Sequence, residues 1–129
     1  MSNKVAISPG AGSASVALGV SAITVEGTAV DLMGYQGAMA VVSIIDWTDG
    51  THVFTLEDSD DNSTFGSAAA RIDGTPPTIS ATTNEGKSFA YTYNGTKRYL
   101  RWVVTVTGSP STGCSYAAYI WPASPKHVG

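Results

Sequence analysis

Ser88-Phe89-Ala90-Tyr91-Thr92-Tyr93-Asn94-Gly95-Thr96-Lys97-Arg98-Tyr99-Leu100-Arg101-Trp102-Val103-Val104-Thr105-Val106-Thr107 is the stretch on which the fold turns. Phe89, Tyr91 and Tyr93 alternate with small or hydroxylated residues, the two-residue period of a half-buried strand. Asn94 and Gly95 tolerate the positive φ that a tight turn demands, and from Arg98 to Thr107 the alternation resumes, so the stretch predicts a β-hairpin. Leu100, Trp102, Val104 and Val106 share the inward face of its second strand. Tyr99, Arg101, Val103 and Thr105 take the other, and a face that is half apolar predicts burial against a partner.

The pattern continues in both directions. From Thr51 to Asp58, His52, Phe54 and Leu56 point one way and Thr51, Val53, Thr55 and Glu57 the other, after a turn at Asp49 and Gly50. Ala38 to Ile45 is apolar at nearly every position, which predicts a central strand covered on both faces. In the last strand, Cys114 to Trp121, Tyr116, Ala118 and Ile120 oppose Ser115, Ala117, Tyr119 and Trp121, so a second subunit is expected over one side. Weaker strands are expected at Ala22 to Val25, Thr28 to Leu32, Ser67 to Ile72 and Thr78 to Thr82, the last delayed by Pro76 and Pro77, which lack backbone donors. Seven or eight short strands with almost no helix predict an all-β, antiparallel β-sandwich.

The ends read differently. Val5 to Gly19 is rich in Ala, Gly and Ser and buries too little apolar area to order itself, so residues 1–19 are expected to form a flexible arm. Val16, Leu18 and Val20 alternate, and that part is expected to pair as an edge strand, on the protein or on a neighbour. The sandwich domain is placed at residues 20–122 and a tail at 123–129.

At 129 residues the chain has room for one domain. Charged residues make up only 13% of it, about half the usual share, so Ser, Thr, Asn and Gly supply most of the polar surface. A net charge of -3 argues against disorder and against phosphate-backbone recognition, so no nucleic acid is expected as a partner. The longest apolar run, Ala38 to Ile45, is too short to span a bilayer as a helix, and the first residues lack the pattern of a secretion signal. No membrane partner is expected. The single cysteine, Cys114, reads as a small buried hydrophobe.

Several constellations bear on catalytic and metal chemistry. Asp58, Asp60 and Asn62 begin like a calcium-binding loop, but Ser63 stands where glycine is required and Ala69 where a bidentate glutamate is required. A looser site at Asp58, Asp60 and Asp61 competes with a loop whose side chains bond their own backbone. His52 and His127 join no catalytic set, and a Cys114–His52 pair lacks a third group to orient the histidine. Glu57 and Asp58 point to opposite faces, so they cannot work as an acid–base pair. No enzyme activity, no cofactor and no metal are expected. Tyr35, Trp47, Tyr119 and Trp121, placed in loops or opposite the core, read either as interface anchors or as lids closing the ends of the sandwich. With Val16, Leu18, Val20, Tyr99 and Arg101 they form the expected protein interface.

Three segments together, Val30-Asp31-Leu32-Met33-Gly34-Tyr35-Gln36-Gly37, Asp49-Gly50-Thr51-His52-Val53-Phe54-Thr55-Leu56-Glu57-Asp58-Ser59-Asp60-Asp61 and Tyr93-Asn94-Gly95-Thr96-Lys97-Arg98-Tyr99-Leu100-Arg101, resemble small cement or decoration proteins of tailed double-stranded DNA bacteriophages, encoded beside the major capsid protein. The resemblance spans residues 28–121 and rests on pattern and order. It implies a jelly-roll-like sandwich, assembled as a homo-dimer or homo-trimer, that binds the outer surface of the head and staples neighbouring major capsid subunits. The implied location is the virion, after synthesis in the host cytoplasm. Two other readings stand beside it. One is a carbohydrate-binding sandwich using Tyr35, Trp47 or Trp121 as a sugar platform, with a structural calcium in the Asp-rich loop; the other is a phage tail or adhesion component.

Overall fold

The computed structural model describes the backbone of residues 13–123 and the side chains of residues 21–123. Among the described residues ten strands run in order: β1 (Ser13–Ser21), β2 (Val25–Glu26), β3 (Val30–Asp31), β4 (Ala38–Trp47), β5 (Thr51–Ser59), β6 (Gly66–Ser67), β7 (Thr78–Ile79), β8 (Ser88–Tyr93), β9 (Tyr99–Thr107) and β10 (Cys114–Pro122). Four of them form one antiparallel sheet in the order β1-β10-β4-β8. In the other sheet β9 and β5 are the long central pair; β2 and β3 pair with β9, and β6 and β7 with β5. The two sheets pack as a β-sandwich, the expected architecture.

Alternation decides which residues meet inside. Leu100, Trp102 and Val104 of β9 and His52, Phe54 and Leu56 of β5 are buried, facing Ala40, Val42, Ile44, Tyr116, Ala118 and Ile120 of the first sheet. Phe54 sets its ring edge-on to Tyr116, with centroids 4.9 Å apart. Trp102 reaches across to β10, where its indole Nε1 donates to the Tyr119 carbonyl at 3.1 Å. Ala40 and Ala118, small and fully buried, leave room for that large side chain.

The expected hairpin from Ser88 to Thr107 does not form. β8 joins the first sheet and β9 the second, and residues 94–98 carry the chain across the sandwich. Positive φ among the described residues falls at Gly34, Gly37, Gly50, Gly86, Gly108, Gly113, Asn62 and Ser109, so neither Asn94 nor Gly95 makes the predicted turn. Gly95 is needed for another reason: it lies so close to the Tyr93 ring that a Cβ there would collide with the phenol. Two strands of correct alternation do not reveal whether they pair with each other or face each other.

β4 is central, between β10 and β8, but the described residues cover only one of its faces. Met39 is 45% exposed and Ile45 51%. The weak strand expected at Ser67 to Ile72 shrinks to β6, followed by a 3-10 turn at Ala69–Arg71, and Thr78 to Thr82 shrinks to β7. The expected boundary of the arm at residue 19 runs through β1, whose backbone pairs with β10 from Ser13 to Ser21. The remainder of the arm, residues 1–12, and the tail beyond Ala123 lie outside the described residues.

Candidate docking face

The outer face of the first sheet is ordered in ranks across three strands. Trp121 of β10 stands beside Met39 of β4 and Thr92 of β8; Tyr119 stands beside Val41 and Ala90; Ala117 stands beside Ser43 and Ser88. The Ser43 and Ser88 hydroxyls satisfy each other at 2.8 Å. Beyond these ranks the register between β4 and β10 slips: Tyr116 pairs with Ile44 and Ser115 with Asp46. This bulge gives β4 two consecutive outward residues, Ile45 and Asp46, and brings Trp47 back to the core side. Among the outward residues of β4, β8 and β10, Asp46 alone is charged.

The outer face of the second sheet is chemically opposite. Arg101 of β9 donates to Glu57 of β5 at 2.7 Å, lies 3.8 Å from Glu26 of β2, and stacks over the Phe65 ring at 3.9 Å. Thr51, Thr55, Thr105 and Thr107 share that face with Val53, Val103 and Tyr99. Its charges are paired at home and its hydroxyls are at ease in water. The apolar face therefore belongs to the first sheet.

The sequence-predicted interface residues are divided among several places. Tyr119 and Trp121 lie on the apolar face, half-buried. Trp47 packs against the core, and its Nε1 donates to the Gly50 carbonyl at 2.8 Å, so the bulge makes it a lid at the end of the sandwich. Arg101 and Tyr99 belong to the second sheet, Tyr99 beneath the Arg98 guanidinium at 5.0 Å. Tyr35 sits in the loop between β3 and β4. Val16, Leu18 and Val20 lie in β1, and their side chains fall outside the described residues. Sequence reasoning missed Met39, Val41 and Ile45, because an all-apolar strand does not show which face its own chain leaves open.

The Asp-rich loop has its carboxylates turned apart. Asp58 is buried and accepts from Arg71 Nε and Nη2 at 2.7 and 2.8 Å and from the Tyr93 hydroxyl at 2.7 Å. Burial pushes the Asp58 carboxyl up, but the Arg71 guanidinium and the Tyr93 hydroxyl outweigh it and hold the group below its ordinary value. Burial, then the Asp58 carboxylate, push the Tyr93 phenol up, so it stays a donor. Asp61 accepts from the backbone N–H groups of Thr64 and Ser63 and from the Ser59 hydroxyl, which hold it at about 2. Asp60 points outward to Lys97 at 3.2 Å. The loop bonds its own backbone through Asp61, and Asp58 serves the core.

Cys114 is buried, its thiol pushed up to about 11 chiefly by burial, which suits a packing residue better than a nucleophile. His52 Nε2–H donates to the Asp49 carbonyl at 3.0 Å, while its Nδ1 and the Tyr116 hydroxyl find no partner among the described residues. Tyr35 lies in the loop that precedes β4 and Trp47 at its far end, and the nine steps from Ala38 to Trp47 span roughly 30 Å at about 3.3 Å per residue, so they share no sugar platform. A cleft of about 550 Å³ opens instead between the β3–β4 loop and residues 94–98, with Tyr35 in its wall.

The chain is thus an all-β antiparallel sandwich with one apolar and one polar outer face. No protein-family model matches it, and no curated protein matches it.

Proposed function

We propose that this protein is a non-catalytic decoration protein of a tailed phage head, which docks the outer face of its first sheet on the capsid shell and staples neighbouring major capsid subunits. The observation that carries the reading is the contrast between the two outer faces: Met39, Val41, Ile45, Tyr119 and Trp121 on one, paired charges and hydroxyls on the other. Exposed aliphatic side chains gathered on one face beside half-buried aromatic ones are the usual anchors of an interface. The three sequence segments that resemble decoration proteins supply the capsid as the partner.

Area adds a requirement. Four strands about 4.8 Å apart and six to ten residues long, at about 3.3 Å per residue, offer a footprint on the order of 500 Å². A stable interface buries roughly 800 Å² per partner. Further contact is therefore needed, from residues 1–12 or from a second copy of the chain in a dimer or trimer.

The test is sedimentation with capsids assembled from the major capsid protein of the same genome. Wild-type protein should pellet with the particles. Ile45→Asp and Tyr119→Asp should weaken retention by about ten-fold or more while the fold persists, and Arg101→Ala should leave it unchanged. Retention that depends on Arg101 and ignores Ile45 and Tyr119 would overturn the assignment of the face; failure of the wild type to pellet would overturn the capsid reading.

A further inference from the structure

We infer that the cleft between residues 32–37 and 94–98 is a binding site for a neutral oligosaccharide, separate from the docking face. Its volume of about 550 Å³ lies within the roughly 300–1,000 Å³ of small-molecule sites. Both walls are fixed before any ligand arrives. The Leu32 N–H donates to the Arg98 carbonyl at 2.6 Å, the Tyr35 N–H to the Leu32 carbonyl at 2.9 Å, and the Ala123 N–H to the Gly37 carbonyl at 3.1 Å. Gly37, at φ +87°, passes so near the Tyr93 carbonyl that a Cβ would lie 2.5 Å from its oxygen. On the opposite wall the Asn94 N–H donates to the Arg71 carbonyl at 2.8 Å, and Gly95 rests on the Tyr93 ring, itself held by Asp58. A preformed cleft spares the ligand most of the cost of ordering its site.

The lining selects the ligand by charge. Lys97 is paired with Asp60, and Arg98 grips Asp31 through two bonds of 2.8 Å, so the two cations of the cleft are already neutralised and an anion gains little there. Gln36, Asn94 and Thr96 are exposed, and their side chains make no hydrogen bond to the described residues. Two amides and a hydroxyl offer donors and acceptors together, which matches ligand hydroxyls that do both. A purely apolar ligand would cover these groups and leave them unpaired, at a cost. Tyr35, half-buried, and Met33, 67% exposed, give the apolar surface on which the C–H face of a sugar ring packs. Neutral polar groups beside an aromatic ring, with the charges cancelled, describe a receptor for an uncharged polyhydroxylated ligand.

Titration of the ¹⁵N-labelled full chain with maltotriose, chitotriose and lactose tests this, with 3′-sialyllactose and a heparin disaccharide as charged comparators. At least one neutral sugar should give saturable shifts at the Gly95 amide and at the side-chain amides of Gln36 and Asn94. Tyr35→Ala should weaken that binding by about ten-fold or more, Asn94→Ala should weaken it without disturbing the fold, and Tyr35→Phe should retain most of it. Absence of shifts with every neutral sugar, preference for the charged comparators, shifts centred on Trp121, or full affinity in Tyr35→Ala and Asn94→Ala would each overturn the inference. The readout uses free protein, so its failure leaves the capsid reading untouched, and the reverse holds.

Discussion

Tyr93 and Asp58 join the two sheets of the sandwich through a buried hydrogen bond of 2.7 Å, the phenol coming from β8 and the carboxylate from β5, 35 residues apart. Arg71 completes the cluster from the 3-10 turn that follows β6, and its guanidinium also donates to the Ser67 carbonyl at 2.9 Å. A carboxylate this deep costs several kcal/mol unless it is paired and fully hydrogen-bonded, and here both of its oxygens are engaged.

Tyr93→Phe should lower stability by about 1.5–3 kcal/mol, the range for a bond to a charged group, measured by urea denaturation. Gly95→Ala should destabilise as well, because its methyl displaces the Tyr93 phenol. Both substitutions break the same contact, so their effects should sum to less than additive in a double-mutant cycle. Additive losses would show that Gly95 acts elsewhere.

Acid should destabilise the fold in a defined window. Asp58 and Asp61 titrate below their ordinary values in the folded state, Asp61 at about 2. A lowered folded-state value means that the stabilisation is complete above the unfolded value of about 4 and is lost as pH falls through the folded value. The urea midpoint should therefore hold from neutral pH to about pH 4 and fall steadily toward about pH 2. Asp58→Asn should start from a lower midpoint and show a shallower fall; an unchanged acid slope would remove Asp58 from the account.

Truncation should separate residues 1–12 from β1. Removal of residues 1–12 should leave the domain's thermal stability near that of the full chain. Removal of residues 1–19 strips most of β1 from β10 and exposes a long edge, so it should destabilise and promote aggregation. Equal stability of the two truncations, by thermal melting, would show that β1 adds nothing.

Gly113→Ala should loosen the same strand from its other end. Gly113 has φ +95°, and a Cβ there would collide with the Ser21 carbonyl at the close of β1. Positive φ alone costs about 1–2 kcal/mol for alanine, so a melting loss at least of that order is expected, with faster amide exchange at Ser21.

Much of this molecule is legible in the sequence because strand periodicity is local. The inward sets Leu100, Trp102, Val104 and His52, Phe54, Leu56 follow from alternation and are buried. Pairing is not local, and there the reading breaks: Asn94-Gly95 has the composition of a hairpin turn, yet it spans the sandwich, and Tyr93 just before it bonds Asp58 on the far sheet. Trp47 likewise reads as outward until the bulge at Ile45 and Asp46 reverses the alternation. A bulge leaves no periodic trace beforehand. Tyr119 and Trp121 are legible through their alternation in β10, whereas Met39 and Ile45 are hidden in a strand apolar at nearly every position.

The central claim is that the first sheet, not the second, faces a capsid shell. A cryo-electron microscopy reconstruction of particles carrying this protein tests it most directly. The account predicts density with Met39, Ile45, Tyr119 and Trp121 against the shell and the Arg101–Glu57 pair toward solvent. Density with that pair against the shell, or particles that bear none of this protein, would contradict it.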